Sequence, residues 1–277
     1  MPIEDHERVS LEEGVVYGTG GGRSLHCDIY RPPAVAPVTR AAVILVHGGS
    51  WRGGDRTQLR RYGWRLGRAG YVCVAIEYRL IPETYFPGFL EDVKAAIRWV
   101  RANADELGID ADRIGIHGNS AGGHLALLAA GTPDVPELEG TGGNGNVSSA
   151  VQACVSVYGP SLFHVDEPER GSRPVARITE GPGADVARTA SPLSWVSPAF
   201  PPTLLLHGKA DALVPVAASE RMHEALTAAG VPTEIHLFPD QPHGFDARAE
   251  FARHNGSIVA FFLDRYLRQP ADDAVLV

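Results

Sequence analysis

Three residues of this 277-residue chain have types and neighbours suited to breaking an acyl bond. Ser120 is the centre of Gly118-Asn119-Ser120-Ala121-Gly122, between a segment that reads as a strand (Arg113–His117) and an apolar helical segment (Ala121–Ala130). A serine on so sharp a strand-to-helix turn is forced into a strained backbone conformation that lifts its Oγ above the sheet. Glycines two residues to either side are needed because a Cβ there would strike the adjoining strand or helix. A hydroxyl is a weak nucleophile, so a base and an orienting acid must accompany it. Such turns expect both downstream, the acid before the histidine. Asp211 follows the strand-like Thr203–His207, and His243 follows Glu234–Phe238. Each sits beyond the carboxyl end of a strand, the edge at which open α/β sheets assemble their sites.

Acyl transfer also needs donors for a tetrahedral oxyanion. The apolar run Ala42–Val46 leads into His47-Gly48-Gly49-Ser50-Trp51, whose glycines free the backbone to turn its amides toward a ligand. The amides of Gly49 and Ser50, with that of Ala121, are the expected oxyanion hole, and Gly48 is the alternative donor.

The elements that must hold these groups alternate between strand and helix. Val15–Tyr17 and Leu25–Tyr30 flank a glycine-rich turn and predict a hairpin. Ala42–Val46, Tyr71–Glu77, Val151–Val157 and Thr203–His207 are short apolar runs of the kind buried on both faces of a parallel sheet. Asp55 and Gln58 resemble a capping box that opens a helix through about Arg68. Phe89–Asn103 carries Leu90, Val93, Ile97 and Val100 at helical spacing. Ala217–Ala229 and Asn255–Leu267 complete the helices. One mixed, mostly parallel sheet with helices on both faces is the fold this order predicts, as a single domain over residues 1–277. Gly131–Ser149 and Pro160–Pro202 break the rhythm. The first reads equally as an irregular surface loop, and the second as a small lid.

Composition narrows the field. A formal charge of −8 argues against a nucleic-acid binder, which needs a basic surface. Three widely spaced cysteines, Cys27, Cys73 and Cys154, indicate neither a disulfide framework nor a zinc cluster. The opening MPIEDHERVS has no apolar core of a secretory signal, and no apolar run is long enough to span a bilayer, so a cytoplasmic address is expected. With no H-E-x-x-H and no tight cluster of histidines and carboxylates, the expected chemistry uses neither metal nor cofactor. Assembly into homo-oligomers is left open.

From Val43 to Phe245 the chain resembles α/β-hydrolases of the esterase/lipase group that carry an H-G-G-x-W or H-G-G-G oxyanion motif. His47–Trp51, Tyr78–Glu83, Leu90–Val93, His117–Gly123, Pro202–Pro215 and His243–Phe245 carry the likeness in order. The group includes hormone-sensitive-lipase-like carboxylesterases, feruloyl and acetyl-xylan type esterases, and kynurenine formamidase. The resemblance implies an eight-stranded sheet with only its second strand antiparallel. Lipase-like members carry an N-terminal helical cap, for which His47 comes too early here. Cover is therefore expected from residues 160–202, over a comparatively open pocket. Ser50-Trp51 moves the match toward the feruloyl-esterase and formamidase side.

The expected activity is hydrolysis of small to medium acyl or aryl esters through a covalent acyl-serine. Alternatives are an arylformamidase, an acyltransferase or lactone-forming enzyme, and a non-catalytic binding protein of the same fold. Trp51 and Trp195 are candidate substrate walls, ahead of Phe163 and Phe245. His47, His117, His124 and His207 are expected to be hydrogen-bonded structural histidines. Asp92, Glu83, Asp240 and Asp246 are the rival acids; for Asp240 and Asp246 a solvated loop position is the better reading. Arg56, Arg60, Arg61, Arg65 and Arg68 recur at helical spacing, which usually marks a solvated face. A weaker reading has them steer anionic substrates.

Overall fold

The computed structural model describes residues 8–165, 170–180 and 183–268. Along the chain run β1 (Ser10–Gly20), β2 (Arg23–Arg31), β3 (Ala42–Val46), α1 (Arg60–Arg68), β4 (Val72–Ile76), α2 (Gly88–Ala102), α3 (Ala104–Leu107), β5 (Ile114–Asn119), α4 (Ala121–Gly131), α5 (Pro136–Glu139) and β6 (Ala153–Val157). There follow β7 (Phe163–His164), β8 (Arg173–Pro174), α6 (Ala184–Thr189), β9 (Thr203–Gly208), α7 (Ala217–Ala228), β10 (Thr233–Phe238) and α8 (Ala249–Leu267). Eight strands form one sheet in the order β1-β2-β4-β3-β5-β6-β9-β10. β2 is antiparallel to both β1 and β4, and the pairs from β4 through β10 are parallel. This is the α/β-hydrolase arrangement that the resemblance implied.

Period-two alternation sends successive side chains to opposite faces, and burial of both faces explains why the central strands are mostly apolar. Ile44, Val46, Val74, Ile76, Cys154 and Leu205 face one core with α2, α4 and α7. Val43, Leu45, Cys73, Ala75, Val155, Leu204 and Leu206 face the other, with α1 and α8. Each fully buried Leu, Ile or Val contributes roughly 1.5–3 kcal/mol relative to exposure, so both faces hold the sheet. β3 and β5 form its middle, and the loops after the parallel strands β3, β5, β9 and β10 all leave the same carboxyl edge.

Three local expectations are corrected. Asp55 and Gln58 form no capping box, because α1 begins at Arg60. Asp55 Oδ1 instead accepts from the Thr57 amide at 2.7 Å, an Asx turn that precedes the helix. α8 starts at Ala249, six residues before the expected Asn255. Gly256 lies inside it because a Cβ there would sit 2.8 Å from Cγ of Arg65 on α1. Residues 131–149 contain α5, whose Glu139 pairs with the buried Lys94 and Arg98 of α2. In the segment 160–202, Phe163, Val175, Ile178, Ala187 and Ala190 are buried in the core that contains α4. No helix among the described residues is long and apolar enough to cross a membrane.

Candidate active site

β5 delivers Ser120 to the sharp turn that its glycines allow. The serine has φ 55° and ψ −118°, a left-handed conformation rare for a residue with a Cβ. A Cβ on Gly118 would lie 2.1 Å from the Gly122 carbonyl oxygen, and one on Gly122 would lie 2.0 Å from that of Val46. Neither contact is sterically tolerable, so both glycines are fixed by geometry. The Ser120 amide donates to Val157 O on the neighbouring β6 at 2.8 Å, which pins the turn to the sheet.

β9 and β10 bring in the partners. His243 Nε2 lies 2.9 Å from Ser120 Oγ, and Nδ1 lies 2.6 Å from Asp211 Oδ2. The bonding assigns the tautomer: Nδ1–H donates to the acid, leaving Nε2 to accept from the hydroxyl. Asp211 is nearly buried, and its Oδ1 accepts the amides of Leu213 and Val214 at 2.8 Å each. His207 adds a contact of 3.2 Å from Nε2 to Oδ2 and is itself fixed by Ser219 Oγ at 2.7 Å. Burial pushes the Asp211 carboxyl up. The hydrogen bonds from His207, His243 and the Val214 amide outweigh it and hold the group well below the usual carboxylate range.

The oxyanion loop follows β3 with a strained backbone: φ is 118° at Gly49, 55° at Ser50 and 59° at Trp51. The Gly48 amide, the alternative donor of the sequence reading, is already used, because it donates to Gln58 Oε1 at 2.8 Å. The amides of Gly49, Ser50 and Ala121 have no protein acceptor among the described residues. Gly49 and Ser50 are exposed, and Ser50 and Ser120 line the same cleft. His47 is a brace: its ring stacks on Tyr78 at 4.3 Å, Nδ1 donates to Gly48 O at 2.7 Å, and its carbonyl accepts from Tyr78 OH at 2.9 Å. Burial lowers its pKa, which favours the neutral ring.

The aromatic assignments change. Trp51 is only 3% exposed, packs on Phe89 and Phe163, and donates Nε1–H to His124 Nδ1 at 3.2 Å. His124 Nε2 in turn donates to Ala190 O at 2.8 Å, so this pair ties the oxyanion loop to the 160–202 segment. Trp51 therefore touches ligand space only at the edge of a pocket of about 360 Å³ that it shares with Ser50, Arg52, Pro174, Ala176 and Arg177. Trp195 packs its Cβ against Gly131, at the far end of α4 from Ser120, and donates Nε1–H to Thr189 O. It lines neither pocket. Phe163 and Phe245 are core residues.

The cleft that holds Ser120, about 630 Å³, is lined by Gly49, Ser50, Gln58, Tyr62, Ser120, Tyr158, Leu213, His243 and Asp246, among others. Asp246 is not a solvated loop residue. It is 7% exposed, and its carboxyl group accepts from Tyr62 OH at 3.1 Å, from Tyr158 OH and from Asn119 Nδ2. Tyr158 then packs its ring 4.5 Å from that of His243. Nothing near Asp246 in sequence marks this role. Its partners come from α1, β5 and the loop after β6. Of the other rival acids, Asp92 is gripped by Arg79, Glu83 pairs with Arg23, and Asp240 lies exposed in a turn, as expected. His117 also departs from expectation, for neither ring nitrogen makes a hydrogen bond of ordinary geometry. It packs against Tyr62 at 4.2 Å, and burial pushes its pKa down to about 3.

A strained serine after the central strand of a mostly parallel sheet, with an acid and a histidine from later strand ends, defines the α/β-hydrolase class. The comparisons carry this further, and the chain belongs to the BD-FAE family, whose model matches residues 27–226. It is 37% identical over 256 residues to Esterase LipQ of Mycobacterium tuberculosis (strain ATCC 25618 / H37Rv), a match covering 88% of this chain and 60% of that protein. Esterase LipC of the same strain is 34% identical over 283 residues, covering 97% of this chain and 68% of that one. The chain thus spans about two thirds or less of the length of these curated relatives. Among solved structures, the apo form of Thermogutta terrifontis esterase 2 matches with a TM-score of 0.80 at 27% identity, over 97% of this chain and 98% of that one.

Proposed function

We propose that the chain is a serine carboxylesterase with Ser120, His243 and Asp211 as its catalytic residues. The observation that carries this reading is the unbroken chain Asp211 Oδ2–His243–Ser120 Oγ, at 2.6 and 2.9 Å, beside backbone amides that no acceptor among the described residues occupies. His243 Nε2 takes the Ser120 hydroxyl proton as Oγ bonds to the ester carbonyl carbon. The amides of Gly49, Ser50 and Ala121 receive the charge that develops on the carbonyl oxygen. Collapse of the tetrahedral species breaks the carbon–oxygen bond to the alcohol, which leaves with the proton from His243. Water then repeats the sequence on the acyl-serine. Asp211 keeps Nδ1 protonated and supports the imidazolium while it exists. Residues 160–202 would cover the smaller pocket, which Pro174, Ala176 and Arg177 border.

Ester rather than formamide turnover is favoured by the relatives, Esterase LipQ and Esterase LipC. The test is direct comparison of short aryl esters with N-formylkynurenine, using Ser120→Ala as the blank. Turnover of the aryl esters that disappears in the variant supports the reading. Preference for the formamide would move it to an arylformamidase, and turnover that survives in Ser120→Ala would remove it.

A further inference from the structure

Among the described residues, α1 and α8 flank a groove of about 870 Å³ walled by Arg8, Arg61, Arg65, Arg68 and Arg253, with Val9 and Trp64 as its apolar part. Arg61, Arg65 and Arg68 share one face of α1, and Arg253 comes from α8, which packs beside it. Two of the five are held by neutral groups, Arg61 by Ala247 O and Arg65 by Ser257 Oγ. Among the described residues, no carboxyl group forms an ion pair with any of the five. Arg56, by contrast, is consumed by Asp28 and Glu77. Unpaired guanidinium groups gathered in one concavity repel one another and create a positive potential, here on a chain of net charge −8. The groove also adjoins the reaction cleft, since Arg61 and Ala252 line both.

We propose that the natural ester is anionic, with an oxyanionic group (carboxylate or phosphate) on its non-reacting portion seated in the α1–α8 groove while its carbonyl reaches Ser120. This rests on the esterase reading above and names its substrate class. Planar guanidinium groups grip either oxyanion through paired N–H donors. Val9 and Trp64 would cover the apolar spacer that links it to the ester.

Matched esters test this. 4-Nitrophenyl octanoate is compared with mono-4-nitrophenyl octanedioate, and the butyrate ester of 1-octanol with those of 8-hydroxyoctanoate and 8-hydroxyoctyl phosphate. These place the charge on the acyl or the alcohol side. At low ionic strength, at least one anionic ester is expected to exceed its neutral partner roughly tenfold in kcat/KM, as two or three semi-exposed ion pairs allow. The oxyanion that gains more identifies the natural tail. The ratio should shrink toward one as salt rises from about 0.02 to about 0.5 M, because exposed charges are screened. It should fall likewise in the double variant Arg68→Gln, Arg253→Gln, with thermal unfolding reporting its fold. Neutral esters turned over with no anionic gain, or a gain that survives the double variant, would overturn the groove proposal alone. No turnover of any neutral ester would instead strike the esterase reading.

Discussion

Asp246→Ala is the substitution that most separates this structure from a generic arrangement of the three proposed catalytic groups. Three donors converge on the Asp246 carboxyl group: Tyr62 OH, Tyr158 OH and Asn119 Nδ2. A buried donor stripped of its acceptor costs about 1–3 kcal/mol. Asn119 and Tyr158 would keep each other at 3.1 Å, and the group borders an open cleft that water can enter. The expected loss is therefore about 3 kcal/mol, or roughly 6 to 12 °C in Tm for a chain of this size. Catalysis should suffer too. The Tyr158 ring backs the His243 ring at 4.5 Å, and Asn119 precedes Ser120, so the loosened pair should lower kcat by roughly 10- to 100-fold with little change in KM. Asp246→Asn keeps the volume and one acceptor and should lose about half as much Tm. Differential scanning calorimetry and steady-state kinetics on one neutral aryl ester measure both quantities. Wild-type Tm and kcat in Asp246→Ala would refute the claim that this cluster holds the catalytic histidine. Identical losses in the Asn and Ala variants would refute the hydrogen-bond origin.

Other outcomes follow from the same geometry. Asp211→Asn should reduce kcat by roughly 10³- to 10⁴-fold at nearly constant KM, since an amide facing Nδ1 stabilises the wrong tautomer. Gln58→Leu leaves the Gly48 amide without its acceptor and should lower kcat about tenfold through the oxyanion loop, with a Tm loss of only a few degrees. Stability should fall as pH drops below about 6.5, because burial pushes His124 down to about 4 and His117 to about 3. A group with a depressed folded pKa lets the unfolded chain take up the proton first, so its contribution is full above the unfolded value and lost down to the folded one. At 1.36 kcal/mol per unit, His124 alone accounts for about 3 kcal/mol between pH 6.5 and pH 4. Urea midpoints across that range, in wild type and His124→Gln, check it: the variant should show a shallower fall.

What could be read from the sequence divides along physical lines. β3, β4, β6 and β9 were legible because a strand buried on both faces is apolar at most positions. Ser120, Asp211 and His243 were legible because each depends on a local turn just beyond a strand end. What the sequence hid depends on contacts across the chain. Gln58 stands three residues after Asp55 and mimics a capping box, yet its acceptor is turned to the Gly48 amide. Asp246 resembles a loop carboxylate until residues 62, 119 and 158 close around it. Trp51 looks like a pocket wall from its place beside the glycines, but most of its ring packs on Phe89 and Phe163 and is held by His124, leaving only its edge toward the smaller pocket. Asn255 and Gly256 read as a helix start, whereas Gly256 is the gap through which Arg65 of α1 passes.

Ser120 is the point on which every step of the proposed chemistry turns. The native protein treated with a fluorophosphonate probe, digested and mapped by mass spectrometry tests it most directly. A single adduct on Ser120, lost when the protein is unfolded before labelling and lost in His243→Ala, is the result expected. An unlabelled Ser120 in the folded protein, or labelling undiminished in His243→Ala, would contradict the account.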